Sequence, residues 1–283
     1  MVEMTEFSVD SEGVELYCKR IRPADAPPGA VSGVLLVHGG LVDSDFFDGC
    51  ARELAERFDV VAYDRRGYGR SGDPLSCDYS LETQAEDARK VMQACFDGPC
   101  SLIAHSVGCS VAMTLVSRHA ECVNCALYYE PPVPSCLPGD SRLVGAVAKT
   151  CEETYAGRRI GTIGDGFLFG MAPKDDRVYC PTEAEQRRSA RNTACSITNE
   201  GDVLMLFAPD AARLAAVPSA IGLGELDRNA PVGTMVKALA EFTAMLVLAF
   251  PGGHNCPADL PREFACMSAG FVLAYGGTKS GCV

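Results

Sequence analysis

Along most of its length the chain alternates short, almost wholly apolar runs with longer segments in which apolar residues recur at helical spacing. The runs are GVLLVHG (Gly33–Gly39), DVVAYD (Asp59–Asp64), CSLIAH (Cys100–His105), NCALYYE (Asn124–Glu130), AVPSAIGLG (Ala216–Gly224) and LVLAF (Leu246–Phe250). Each reads as a strand buried on both faces. The helical segments fall between and after them: Ser44–Phe58, with Phe47, Ala51, Leu54, Ala55 and Phe58 on one side; Ser80–Cys95, opening on a serine cap; Val107–His119; Val232–Met245; and Pro261–Tyr275. At the start, TEFSV and VELYCKRI flank the turn Asp10-Ser11-Glu12-Gly13 and predict a β-hairpin. Strand–helix alternation of this kind predicts an α/β fold: a mostly parallel central sheet covered by helices on both faces.

The alternation fails between residues 132 and 215. Prolines, paired charges and helical patches such as EAEQRRSARNTAC (Glu183–Cys195) replace it. The segment is too long for a loop between two strands, so an inserted helical subdomain is expected there. Residues 1–131 and 216–283 then form one core around it.

Composition narrows the class. The sequence has 283 residues, 47% of them hydrophobic, enough for one large core. No apolar run approaches the ~18–20 residues of a membrane span, and the first residues, MVEMTEFSVD, lack the pattern of a secretory signal. A net charge of −12 argues against a nucleic-acid partner, whose phosphates are neutralised by Lys and Arg. Fifteen cysteines is a high and odd number. Cys122-x-x-Cys125 has redox spacing, but Cys125 enters an apolar run, and no second close pair with histidines completes a zinc pattern. Cysteine is therefore expected to serve as a small buried apolar residue in a reducing, cytoplasmic setting. The sequence leaves the oligomeric state open.

One stretch raises a chemical question. In SLIAHSVGCSVAM (Ser101–Met113), a buried strand meets Ser106 where a helix begins. Such a serine can cap the helix, or it can be a nucleophile presented on a sharp turn. The stretch by itself leaves both readings open.

Four further features, in order along the chain, widen the comparison: VHGG after the third strand, DRRGYGRS after the fourth, AHSVG at the turn, and GELD with GGHNCP near the end. In this order the chain resembles the α/β-hydrolase fold superfamily, specifically a serine-nucleophile member with a cap inserted after the sixth strand. The resemblance covers nearly the whole chain. It implies that Ser106 is the nucleophile, with Ala104 and Gly108 as the small residues that let strand and helix approach; the first of these is more often glycine in the family. Among the four histidines, the resemblance makes His254 the base. His38 is then structural beside the oxyanion loop, His105 points away from the hydroxyl, and His119 closes a helix. Asp227 is implied as the acid, with Glu130, after the sixth strand, as the alternative. The oxyanion donors are implied to be the N–H of Val107 and that of Gly40 or Leu41. Asp64, Arg65 and Gly67 take structural roles in this comparison.

Arg187, Arg188 and Arg191 can be read as a solvated helix face or as a site for an anionic substrate. Phe167, Phe169, Met171, Met205 and Phe207 are candidates for the ceiling of the pocket or for packing within the cap. The expected activity is cofactor-free and metal-free hydrolysis of a carboxylic ester or similar acyl bond in a small-molecule substrate, through an acyl-enzyme. The alternatives are carbon–carbon bond hydrolysis, lyase or perhydrolase chemistry with the same residues, or a non-catalytic ligand-binding protein on this fold.

Overall fold

In the computed structural model, residues 1–27, 29–73, 79–139, 142, 144–146, 149, 183–201 and 206–277 are described. An eight-stranded sheet runs in the order β1-β2-β4-β3-β5-β6-β7-β8. Its strands are β1 (Val2–Ser11), β2 (Val14–Pro23), β3 (Gly33–Val37), β4 (Asp59–Tyr63), β5 (Cys100–His105), β6 (Val123–Tyr129), β7 (Ser219–Gly224) and β8 (Leu246–Phe250). β1 and β2 form the expected antiparallel hairpin, and β2 pairs antiparallel with β4. From β4 to β8 every pairing is parallel.

The helices cover both faces. α2 (Leu81–Cys95), α3 (Gly108–Arg118) and α5 (Pro231–Thr243) pack on one; α1 (Asp48–Leu54) and α6 (Pro261–Tyr275) pack on the other. Side chains alternate along the strands, as the two-residue period demands. Leu35 and Val37 of β3 join the first layer, while Val34 and Leu36 join the second. Local signals set several helix ends. Ser80 caps α2 by accepting from Thr83 N at 3.0 Å, Pro231 opens α5, and Ala244 stops it in the left-handed region at φ 57°. The expected helix over 44–58 is shorter. A 3-10 turn over Ser44–Phe47 precedes α1, which ends at Leu54, although the predicted apolar face is buried throughout.

This order places the chemistry. After β3 the chain moves to one side, to β4; it then crosses back to β5 on the other side of β3. Loops leaving the carboxyl ends of β3 and β5 therefore diverge and open a crevice between them, as at the reversal point of any open α/β sheet. Ser106 and the His38–Leu41 loop stand at those two ends.

Within 132–215, α4 (Glu183–Asn199) lies over the carboxyl ends of β3 and β4 and is fastened there by polar contacts. Arg188 pairs with Asp43 at 2.7 Å and with Asp45. Arg191 donates to the carbonyls of Gly69 and Ser71, each at 2.6 Å, and pairs with Asp73. Asn192 accepts from Gly69 N at 2.8 Å. Arg188 is thus tied to the largely buried carboxylates of Asp43 and Asp45, while Arg191, partly exposed, holds two backbone carbonyls and the exposed Asp73. The side chain of Arg187 lies outside the described residues, as do Phe167, Phe169, Met171 and Met205. Phe207 packs against the core.

All described cysteines are free thiols, and most are buried. Among the described residues, no helix is long and apolar enough to cross a membrane.

Candidate active site

β5 ends at His105, and Ser106 turns sharply into α3 with φ 53°. A left-handed conformation costs a residue with a Cβ about 1–2 kcal/mol, so neighbouring contacts must hold it. Ser106 N donates to Tyr129 O at 2.9 Å, and Ser106 O accepts from Cys109 N at 2.9 Å. The glycine at 108 is needed because α3 passes directly against the end of β3. A Cβ there would lie 2.4 Å from His38 O and 2.6 Å from Val37 O. Val107 occupies the position before the first turn of α3, where helix N–H groups favour negative charge.

The facing loop is shaped by Arg65. Its Nε donates to His38 O at 3.0 Å and its Nη2 to Gly39 O at 2.9 Å. Its backbone N–H donates to His38 Nε2 at 2.9 Å, so that nitrogen is unprotonated. Burial and the Arg65 charge hold His38 down at about 4, in keeping with a structural, neutral ring. Gly39 approaches Ser106 so closely that a Cβ would meet Ser106 Cβ at 2.8 Å. Leu41, next in the loop, has φ 67°. Asp64 ties the base of the same region, accepting from Ser44 N at 2.9 Å and from Arg70 N at 2.8 Å.

His254 stands on the loop after β8. Its Nδ1 lies 2.7 Å from Glu130 Oε2. Glu130 ends β6 with φ 48°, a backbone turn that swings its side chain toward this loop. Its other oxygen accepts from Gly224 N at 2.8 Å. Asp227, in the turn after β7, is buried and hydrogen-bonded to Glu130. A Cβ on Gly253 would come within 2.8 Å of Asp227 Oδ2. Of the two carboxylates implied by the resemblance, Glu130 meets His254 Nδ1, and Asp227 lies beside Glu130, under the loop that carries His254. Burial pushes the Glu130 carboxyl up to about 8, and burial lowers the His254 imidazole well below its ordinary value.

His105 packs beside His254: its Nε2 lies 3.0 Å from His254 O, and its ring is 4.4 Å from that of His254. His119 pairs with Glu86 at 2.6 Å. Among the described residues, no group of three His, Cys, Asp or Glu side chains could hold a metal ion.

Two residues escaped the sequence reading. Ser196 Oγ and Glu200 Oε2 each lie 2.9 Å from where a Cβ on Gly40 would be. Glu200 also accepts from Arg65 Nη1 at 2.6 Å and from Tyr68 OH at 2.6 Å. A faint signal existed: Arg188, Asn192, Ser196 and Glu200 recur every four residues and share one helix face. Strain is also concentrated here. Of the five described non-glycine residues with positive φ, three are Leu41, Ser106 and Glu130.

A family model described as the alpha/beta hydrolase family matches residues 34–265. The chain is 24% identical over 254 residues to the 2-hydroxy-6-oxo-6-(2'-aminophenyl)hexa-2,4-dienoic acid hydrolase of Metapseudomonas resinovorans, covering 84% of this chain and 83% of that protein. It is 35% identical over 108 residues to the uncharacterized hydrolase YraK of Bacillus subtilis (strain 168), a match spanning 38% of this chain and 40% of that relative. Among solved structures, a bacterial membrane phospholipase A superimposes with a TM-score of 0.71 at 20% identity, covering 97% of this chain and 87% of that one. At that identity the likeness speaks for the fold alone.

Proposed function

Because the chain belongs to the alpha/beta hydrolase family, we propose that it is a serine hydrolase acting on a carboxylic ester or similar acyl bond of a small molecule. The observation that carries this reading is Ser106, held at φ 53° between the end of β5 and the start of α3, at the sheet's reversal point. A serine that only capped a helix would gain nothing from a left-handed backbone, whereas a nucleophile gains exposure of its hydroxyl.

In the proposed reaction, His254 takes the proton from Ser106 Oγ as that oxygen attacks the acyl carbon. The ring receives it on Nε2, since Nδ1 is committed to Glu130. The Asp227 and Glu130 carboxyls, side by side below the ring, fix the tautomer and balance the imidazolium. The negative oxygen of the tetrahedral intermediate takes hydrogen bonds from Val107 N–H and from Gly40 or Leu41 N–H. His254 returns the proton to the leaving oxygen, and an acyl-Ser106 ester remains. Water, deprotonated by His254, then attacks that ester and frees Ser106. Residues 132–215 serve as the cap and set which acyl group enters.

A fluorophosphonate probe tests the assignment. Ser106 is expected to be labelled, and Ser106→Ala is expected to lose both labelling and ester turnover by several orders of magnitude while keeping its fold. A well-folded Ser106→Ala with near-wild-type turnover would remove the nucleophile. A second reading, carbon–carbon bond hydrolysis with the same residues, is favoured by the relative that hydrolyses an oxo-dienoic acid. Product analysis on such an acid beside p-nitrophenyl esters separates the two.

A further inference from the structure

We propose that Glu200, at the end of cap helix α4, is a positioning residue for the oxyanion loop, acting through the Arg65 guanidinium, so that the seating of the cap aligns a donor N–H. The proposal rests on the hydrolase reading for its catalytic consequence, though its structural claim can be measured independently.

Peptide geometry comes first. The His38–Gly39 and Gly39–Gly40 units are trans, as are all described peptide bonds. In a trans unit the C=O and the following N–H point in opposite directions. Arg65 draws the carbonyls of both His38 and Gly39 to itself. It therefore turns Gly40 N–H, the partner of the Gly39 carbonyl, away from the guanidinium. Gly39 is also the residue in near contact with Ser106 Cβ. The Gly39 carbonyl also accepts from His38 Nδ1 at 2.7 Å, and the Arg65 backbone N–H holds that ring through Nε2, so the orientation of this donor depends on where Arg65 and the His38 ring sit together.

Glu200 helps determine that place. Arg65 Nη1 meets Glu200 Oε1 at 2.6 Å and Gln84 Oε1 at 2.7 Å. Of these two, only Glu200 carries charge. Arg65 is 1% exposed and Glu200 3%. A cation this buried is held by its counter-charge; removing one member of such a pair leaves the other uncompensated. Tyr68 and Tyr79 hydroxyls, at 2.6 and 3.1 Å, fix the Glu200 carboxylate in turn, and Ser196 Oγ lies 3.1 Å away. The same carboxylate packs over Gly40, where no side chain would fit without a shift.

The rest of α4 is anchored elsewhere, through Arg188, Arg191 and Asn192 to Asp43, Gly69, Ser71 and Asp73. Glu200 can therefore be altered without detaching the helix. A loss of general stability and a loss of loop alignment then become separable.

The experiment compares the full-length wild type with Glu200→Gln, Glu200→Asp and Arg191→Gln. Amide hydrogen exchange of a peptide spanning 38–42 is read beside kcat and KM for p-nitrophenyl acetate and the labelling rate with a fluorophosphonate. In Glu200→Gln, exchange at 38–42 is expected to rise. Both kcat and labelling are expected to fall about 10–100-fold, short of the full loss of one oxyanion donor, with KM changed less than about threefold. Glu200→Asp keeps the charge and is expected to recover part of each loss. Should Glu200→Gln not fold, Glu200→Asp decides, with the same signs at smaller size. Arg191→Gln is expected to lower the melting temperature while leaving exchange at 38–42 and kcat at wild-type values. Wild-type exchange at 38–42 in the Glu200 variants overturns the proposal, as does a parallel loss in Arg191→Gln. If the wild type neither turns over nor labels, the hydrolase reading falls, and the exchange comparison still decides the role of Glu200.

Discussion

Substituting Gly108 by alanine presses α3, which begins beside Ser106, against the His38–Leu41 loop. The added Cβ would stand 2.4 Å from His38 O and 2.6 Å from Val37 O. Ordinary contact begins near 3.4 Å, so α3 and the end of β3 must part by about 1 Å, and neither obstacle is a side chain that could rotate aside. That movement carries Val107 N–H away from the loop that bears Gly40. Displacements of ~1 Å in a catalytic array cost about 100-fold in rate, and overpacking costs ~1–3 kcal/mol of stability. Gly108→Ala should therefore lower kcat/KM for an activated ester about 100-fold and lower the melting temperature by several degrees. Gly270 provides the internal control. It lies exposed within α6 with nothing within 4 Å of its would-be Cβ. There alanine should add up to ~1 kcal/mol through helix propensity and leave turnover unchanged. A Gly108→Ala enzyme within threefold of wild type, melting at the wild-type temperature, would refute the reasoning.

Burial lowers the His254 imidazole below its ordinary value of 6.5, so the base stays neutral into the acid range; the acid limb of kcat/KM should have its midpoint below pH 6.5, and a midpoint above it counts against the assignment. Glu130 is raised from 4.5 to about 8; its contribution to stability is full below pH 4.5 and lost as pH rises through about 8. The melting-temperature advantage of wild type over Glu130→Gln should accordingly shrink between pH 5 and 9, and a growing advantage would contradict the sign. Arg66 and Asp87 form a buried pair at 2.5 Å; Arg66→Met should cost ~3–5 kcal/mol in urea unfolding, with much of it restored in Arg66→Met/Asp87→Leu. Equal losses in the single and double variants would show that the pair's charges are not the cause.

Much of the core was legible because β3 to β7 are buried on both faces, and such strands read as unbroken apolar runs; LVLAF reads the same way but forms the partly exposed edge strand β8. Pro261–Tyr275 matches α6 at both ends, and the hairpin at the start lies where its turn residues indicated. The elbow was legible through its small neighbours, whose reason is the 2.4 Å approach at Gly108. The carboxylate that meets His254 Nδ1 was harder. Glu130 and Asp227 each follow a parallel strand, and nothing in the sequence reports the φ of 48° that aims Glu130 at His254. The contacts of α4 were harder still. Arg188 and Arg191 sit among glutamates at helical spacing, which reads as a solvated face. Their partners Asp43 and Asp73 lie more than a hundred residues earlier in the chain.

The three left-handed residues of the site set stability and activity against each other. Leu41, Ser106 and Glu130 each hold a conformation that costs about 1–2 kcal/mol. Glycine would remove that cost while losing ~0.5–1 kcal/mol to the freedom of its unfolded chain. For backbone energetics alone, glycine is neutral to slightly better at all three positions. A library of variants at 41, 106 and 130 sorted only for resistance to heat should therefore tolerate glycine at Leu41 and Ser106, and only sorting for turnover should restore serine. Glu130 differs, because its carboxyl also bonds Gly224 N and His254, so glycine there gives up contacts as well as strain. Sequences drifting under selection for durability alone would lose Ser106 before the fold.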